Sequence, residues 1–146
     1  MRLVVDASAL VAEALRVRGR ELLAHAYLDL FAAAEVWSET EHEVRRRSAL
    51  LAARGHLSED TAAHLAEEAI EAVRSYITIV TREVYRDHTE EARRRVPRDL
   101  TDAPTVALAL ALDCGIWTSD RDFFGCGVPV WTTETLVLHL QSQDGA

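Results

Sequence analysis

Four acids lie far apart in this chain, at places where an open parallel sheet would gather them. Asp6 follows Val4-Val5, and Asp120 follows Ile116-Trp117-Thr118-Ser119, so each stands just beyond a strand-like run. In such a sheet ligands bind outside the carboxyl ends of the strands, which puts these two acids first among the functional candidates. Asp102 opens a long Ala/Leu stretch, where it either caps helix amides or joins a site, and Asp99 is its close rival. Glu39 is singled out by its neighbours. Glu41 can pair with Arg45 and Glu43 with Arg47, four positions on, whereas Glu39 faces Glu43 at that spacing. That is a repulsion of about 0.2–0.5 kcal/mol unless a cation relieves it.

Gathered carboxylates raise one another's proton affinity, so their assembly makes sense around divalent cations. Hard oxygen donors select magnesium or manganese. Such ions activate water, neutralise a phosphate and stabilise a leaving oxygen, the logic of metal-assisted phosphodiester hydrolysis. Ser8 and Thr118 are placed either to orient a water or a carboxylate, or to serve as a helix cap and a strand residue.

Elements must position these groups. Leu3–Val5 reads as a buried strand feeding a helix over Ser8–Arg16, with Ser8 a candidate cap. The stretch Arg20–Ala34 has Leu22, Leu23, Ala26, Tyr27, Leu30 and Phe31 at helical spacing and predicts a second helix, followed by a short strand at Ala34–Val36. Trp37–Arg54 reads as a helix stopped by Gly55, Ser58 caps a further helix through Ser75, and Tyr76–Val80 supplies a strand. A polar helix over Arg82–Val96 must end before Pro97, and the loop Pro97–Thr101 leads to a buried helix from Ala103 to Leu112 that ends at Gly115. Ile116–Thr118 and Val128–Trp131 are the last strands, and Glu134–Gln141 closes with a helix. Alternating helices and short strands imply an α/β fold, a short central parallel sheet with helices on both faces, in one domain over 1–146.

The composition bounds the partners. The net charge of -8 argues against a simple basic nucleic-acid binder. All 16 basic residues are arginine, however, and they cluster at Arg45, Arg46, Arg47 and at Arg93, Arg94, Arg95, Arg98, either as solvated helix faces or as phosphate grips. The absence of lysine removes P-loop chemistry. Cys114 and Cys126 fit neither a disulfide framework nor a zinc pair, and the six histidines form no HExxH motif. No apolar run approaches the length of a membrane span and the start lacks the pattern of a signal peptide, so a cytoplasmic protein with no membrane partner is expected.

In combination, Val4-Val5-Asp6-Ala7-Ser8-Ala9-Leu10, Trp37-Ser38-Glu39 with Val44-Arg45-Arg46, Asp102-Ala103 before an Ala-rich helix, and Thr118-Ser119-Asp120-Arg121-Asp122-Phe123 closely resemble PIN-domain proteins. The resemblance runs from about Leu3 to Thr133. It implies a PIN fold, metal-dependent endoribonuclease activity on RNA and frequent homodimers. Many small bacterial proteins of this kind are VapC-type toxins neutralised by a VapB-type antitoxin, while others are orphan nucleases. Carried over, the family's acids fall on Asp6, Glu39, Asp102 and Asp120, with Asp122 as an accessory metal ligand. The helix over Ser58–Ser75 makes the middle longer than in the shortest toxins.

Two other readings remain. Asp6 as a phosphate-accepting nucleophile, as in receiver domains and haloacid-dehalogenase-like phosphatases, would need a lysine that this chain lacks. A non-catalytic PIN-like module that binds RNA or protein is the stronger rival, and metal binding without RNA cleavage would favour it.

Overall fold

The computed structural model describes residues 1–145 and shows five strands, all paired in parallel, in the order β3-β2-β1-β4-β5. The strands are β1 (Arg2–Val5), β2 (Asp29–Ala33), β3 (Ile77–Val80), β4 (Gly115–Trp117) and β5 (Val130–Trp131). Leu3, Val4 and Val5 are buried without alternation, as expected of a central strand covered on both faces. β1 aligns Leu3 with Leu30 on one side and Val4 with Ile116 on the other.

Parallel neighbours require crossovers, which are right-handed almost without exception. Between β1 and β2 run α1 (Ala7–Ala14) and α2 (Val17–Leu23); between β2 and β3 run α3 (Ala34–Ala53) and α4 (Glu59–Tyr76). Both crossovers step the same way and lay their helices on one face. From β3 the chain returns through α5 (Arg82–Tyr85), α6 (Thr89–Arg95) and α7 (Ala103–Leu112) to β4, which covers the other face. α7 packs on β1, β2 and β4 as well as on α5 and α6. α8 (Thr133–Asp144) closes the described chain. The strand order therefore reverses between β1 and β4, and that is where an open α/β sheet leaves a crevice at its carboxyl edge.

The α/β fold with helices on both faces agrees with the sequence reading, but four local expectations are corrected. The predicted helix over Arg20–Ala34 is α2, a turn and then β2. Leu30 aligns with Leu3 and Ile77, so pairing on both sides overrides a periodicity that a short apolar run cannot resolve. The predicted strand at Ala34–Val36 is instead the first turn of α3. The polar helix over Arg82–Val96 is broken by a 3-10 turn at Arg86–His88, where Asp87, His88 and Thr89 are all weak helix formers. Asp6, not Ser8, caps α1, accepting the Ser8 N–H through its side chain. Smaller shifts occur at the far edge. Pro129 has no N–H to give a ladder, and β5 begins only at Val130.

The Ala/Leu stretch is helical as expected. Thr105, Val106, Ala107, Leu108 and Ala109 are all buried, and α7 ends on Asp113 in the left-handed conformation, φ 49°. Ser58 caps α4. Cys114 and Cys126 are free thiols. Among the described residues no helix is long and apolar enough to cross a membrane.

Candidate metal centre

Asp6 leaves β1 and Asp120 follows β4, the two strands that flank the reversal. The Asp6 N–H donates to the Trp117 carbonyl at 3.0 Å, which extends the ladder by one step and sets the Asp6 side chain at the edge of the sheet. Three groups fix its carboxylate through one oxygen. Oδ2 accepts from Ser8 Oγ at 2.8 Å, from Thr118 Oγ1 at 3.0 Å and from the Ser8 N–H at 3.4 Å. Thr118 Oγ1 also accepts the Asp120 N–H at 3.0 Å, and Ser8 Oγ accepts the Ser119 N–H at 3.2 Å. Ser8 and Thr118 therefore tie the two strand ends together and orient the first acid. Asp120 in turn holds the Asp122 N–H at 2.9 Å, which caps a 3-10 turn over Arg121–Phe123.

The other acids arrive from helices on opposite faces. Glu39 stands in the second turn of α3, and Asp102 ends a 3-10 turn just ahead of α7. Asp6, Glu39, Asp99, Asp102 and Asp120 all line one open crevice of about 270 Å³, together with Glu43, Arg47 and Ser8. The four acids singled out from the sequence are thus brought together. The tightest grouping among the described residues is Asp102, Asp120 and Asp122, whose carboxylate oxygens lie within 4.8 Å of one another. Asp6 and Glu39 stand outside that trio on the crevice wall.

Asp102 does not serve as a side-chain cap: it makes no hydrogen bond to the α7 amides. Its Oδ2 is buried and has no hydrogen-bond partner among the described residues. Orphaned buried oxygens are costly, on the order of 1–3 kcal/mol, so an unpartnered carboxylate oxygen in an acid-lined crevice points to a cation. Burial, followed by the charges of Asp6, Asp120, Asp99 and Asp122, pushes the Asp102 carboxyl up to about 7. Asp99 is the opposite case. Its Oδ1 accepts from Thr101 Oγ1 at 2.7 Å and from the Thr101 N–H at 2.9 Å, which holds it below the usual carboxylate range.

Helix α3 separates its acids as the spacing predicts. Arg45 reaches Glu41 at 3.6 Å, and Arg47 reaches Glu43 at 3.3 Å. Arg46 adds a pair to Glu43 at 2.6 Å, and hydrogen bonds from Arg46 and Arg47 bring Glu43 down to about 2. Glu39 is left facing the crevice, raised by partial burial and then by Asp6, Asp99 and Glu43. The arginine clusters are less free than their sequence suggests. Arg45 also binds Glu67 at 2.7 Å, Arg94 and Arg95 both bind Glu91, and Arg98 stands 3.8 Å from Asp122. The presence of Arg47 in the crevice wall was not legible in the sequence, because the phase of a helix relative to a distant sheet edge is set by packing.

A hard-oxygen trio with a fixed fourth carboxylate can hold a divalent cation. Comparison with known proteins agrees with the architecture. A crystal structure of PAE2754 from Pyrobaculum aerophilum has a similar fold, with a TM-score of 0.68 and 21% identity, covering 98% of this chain and 91% of that one. No curated protein matches the sequence. The family described as PIN domain matches residues 4–141, nearly the whole chain, and with the fold and the acid crevice in place the chain belongs to the PIN-domain family.

Proposed function

We propose that the chain is a metal-dependent endoribonuclease that hydrolyses RNA phosphodiester bonds, and that it is the toxin of a toxin–antitoxin pair in the cytoplasm. The observation that carries the catalytic reading is the orphaned Asp102 Oδ2, on a residue that lines one crevice with acids from two strand ends and a second helix. PIN domains are generally nucleases, which supports the reaction class.

The donor chemistry fits magnesium or manganese, with Asp102, Asp120 and Asp122 as the nearest group and Asp6 and Glu39 completing the wall. Bound there, the cation would supply charge neutralisation at a phosphate and a water of lowered pKa. The chain's own residues do the positioning. Ser8 and Thr118 lock one Asp6 oxygen and leave the other for a ligand. Asp120 is steadied by the Asp122 amide, and Arg47 provides the positive charge on the wall to which a phosphate would turn.

A homodimer and a VapB-type antitoxin belong to the same proposal. The apolar residues between Arg20 and Ala34 are taken up by the protein itself: Leu23 and Leu30 are buried, and Leu22 and Phe31 pack against the core. Exposed Leu50, Leu51 and Leu65 on α3 and α4 offer a surface for a second copy instead. Purified protein should cut RNA with magnesium or manganese and stop with chelator, and Asp6→Asn and Asp102→Asn should be folded and inactive. Metal binding with intact RNA would make the chain a non-catalytic module. Growth arrest relieved by co-expressing the neighbouring small reading frame would support the toxin role, and harmless expression of an RNA-cutting protein would remove it.

A further inference from the structure

A wider concavity than the acid crevice, about 890 Å³, lies beside it between α1 and α8. The two share one loop. Asp120 lines the crevice, while Ser119 and Arg121 on either side of it line the groove. The Ser119 N–H bond to Ser8 Oγ fastens this loop to the same hydroxyl that orients Asp6. The groove therefore begins one residue away from the acids.

Its walls suit a single strand of nucleic acid. Phe123 is fully buried and anchors the loop, so the next residue, Phe124, is turned outward and is 57% exposed. Arg121 has no ion pair among the described residues, and the exposed Arg16 side chain reaches only the Glu13 carboxylate, at 3.9 Å. An exposed aromatic on a wall shared with two arginines, one residue away from carboxylates that would hold a cation for the reacting phosphate, is the pattern by which proteins stack bases and track a backbone. Two acids also line the groove, equal in number to the arginines. Glu13 is buried and accepts from Thr133, and Glu134 sits in the first turn of α8, near the positive end of the helix dipole, so Arg121 is the cation left without an acidic partner among the described residues.

We infer that this groove carries the RNA strand out of the acid crevice, with one base stacked on Phe124 and the backbone held by Arg121 and Arg16. The inference rests on the nuclease reading and names where that site's substrate runs. It is tested on the full chain in chelator, where a short fluorescein-labelled oligouridine is bound without being cut and anisotropy reports affinity. Phe124→Ala should weaken binding by about tenfold or more while Phe124→Trp keeps it, because stacking needs only an aromatic face. Arg121→Ala should lower the slope of log affinity against log salt by about 1. Melting curves that match the parent's keep these effects separate from folding. If the parent binds and cuts RNA while Phe124→Ala and Arg121→Ala bind it equally well, the groove is not the track; a peptide or a second copy becomes its occupant and the nuclease reading stands. A Phe124→Trp variant as weak as Phe124→Ala also overturns the stacking. A parent that neither binds nor cuts RNA overturns both readings together.

Discussion

Thr118 Oγ1 donates to Asp6 Oδ2 at 3.0 Å, joining residues 112 positions apart at the ends of neighbouring strands. The same hydroxyl accepts the Asp120 N–H, so one side chain aligns two of the four acids. Thr118→Val keeps the shape and removes both bonds. Leaving buried groups unpaired should destabilise the fold by about 1–3 kcal/mol. Loss of an orienting partner should weaken divalent-cation affinity by about 10–100-fold. Calorimetric titration with manganese measures the second effect, and Thr118→Ser should recover it. Unchanged affinity in the valine variant would show that Thr118 is only a strand residue.

The pH dependence follows from Asp102. An unperturbed aspartate titrates near ~3.9, whereas this one is raised to about 7, by burial first and then by its acidic neighbours. Below about pH 4 it is protonated in both folded and unfolded chains, and its stabilising contribution is complete. As pH rises toward 7 the unfolded chain releases the proton and the folded one does not, so metal-free stability falls, by about 1.4 kcal/mol per unit at most. Above 7 both are ionised and the loss levels off. Melts in chelator between about pH 5 and 8 should show this fall, Asp102→Asn should flatten it, and manganese should restore the melting temperature at the high end. A flat profile for the parent would mean that Asp102 is solvated and unperturbed.

Asp99 and Asp102 were rivals in the sequence, and the structure separates them by what their oxygens do. Asp99 Oδ1 is fully engaged by Thr101, a role asparagine can also fill. Asp99→Asn should therefore keep cleavage within about threefold, while Asp102→Asn, which removes a proposed metal ligand, should fall by more than the roughly 100-fold typical of an orienting partner. Single-turnover rates at saturating manganese distinguish them. Comparable losses in both variants would make Asp99 part of the metal set.

The acids were legible because each stands at a boundary that short-range rules identify: a strand end for Asp6 and Asp120, a helix start for Asp102, a charge mismatch for Glu39. The β-branched strand β1 and the Ala-rich α7 were legible for the same reason. β2 was not. Leu30-Phe31-Ala32-Ala33 has no local signal stronger than its helical spacing, and it becomes a strand only because β1 and β3 offer it partners. Nor could sequence show that Asp122 joins Asp102 and Asp120 in one close group, since that depends on how the 3-10 turn after Asp120 folds back.

Gly19 provides a test of packing against propensity. It lies within α2, where alanine is ordinarily preferred over glycine by about 1 kcal/mol. A Cβ at this position, however, would press on the Glu13 carbonyl oxygen and lie 2.5 Å from Glu13 Oε2. A backbone oxygen cannot rotate away, so α2 would have to lift off α1, and overpacking of this kind costs about 1–3 kcal/mol. The strain also reaches the core. Glu13 Oε1 accepts from Thr133, whose hydroxyl takes the Trp117 indole N–H at 3.0 Å, so a shifted Glu13 disturbs the strand that carries Thr118 and Asp120. Gly19→Ala should therefore lower stability by up to about 2 kcal/mol net, read as a lower urea midpoint with an unchanged slope. A higher midpoint would show that α2 moves freely against α1 and that helix propensity decides at this site.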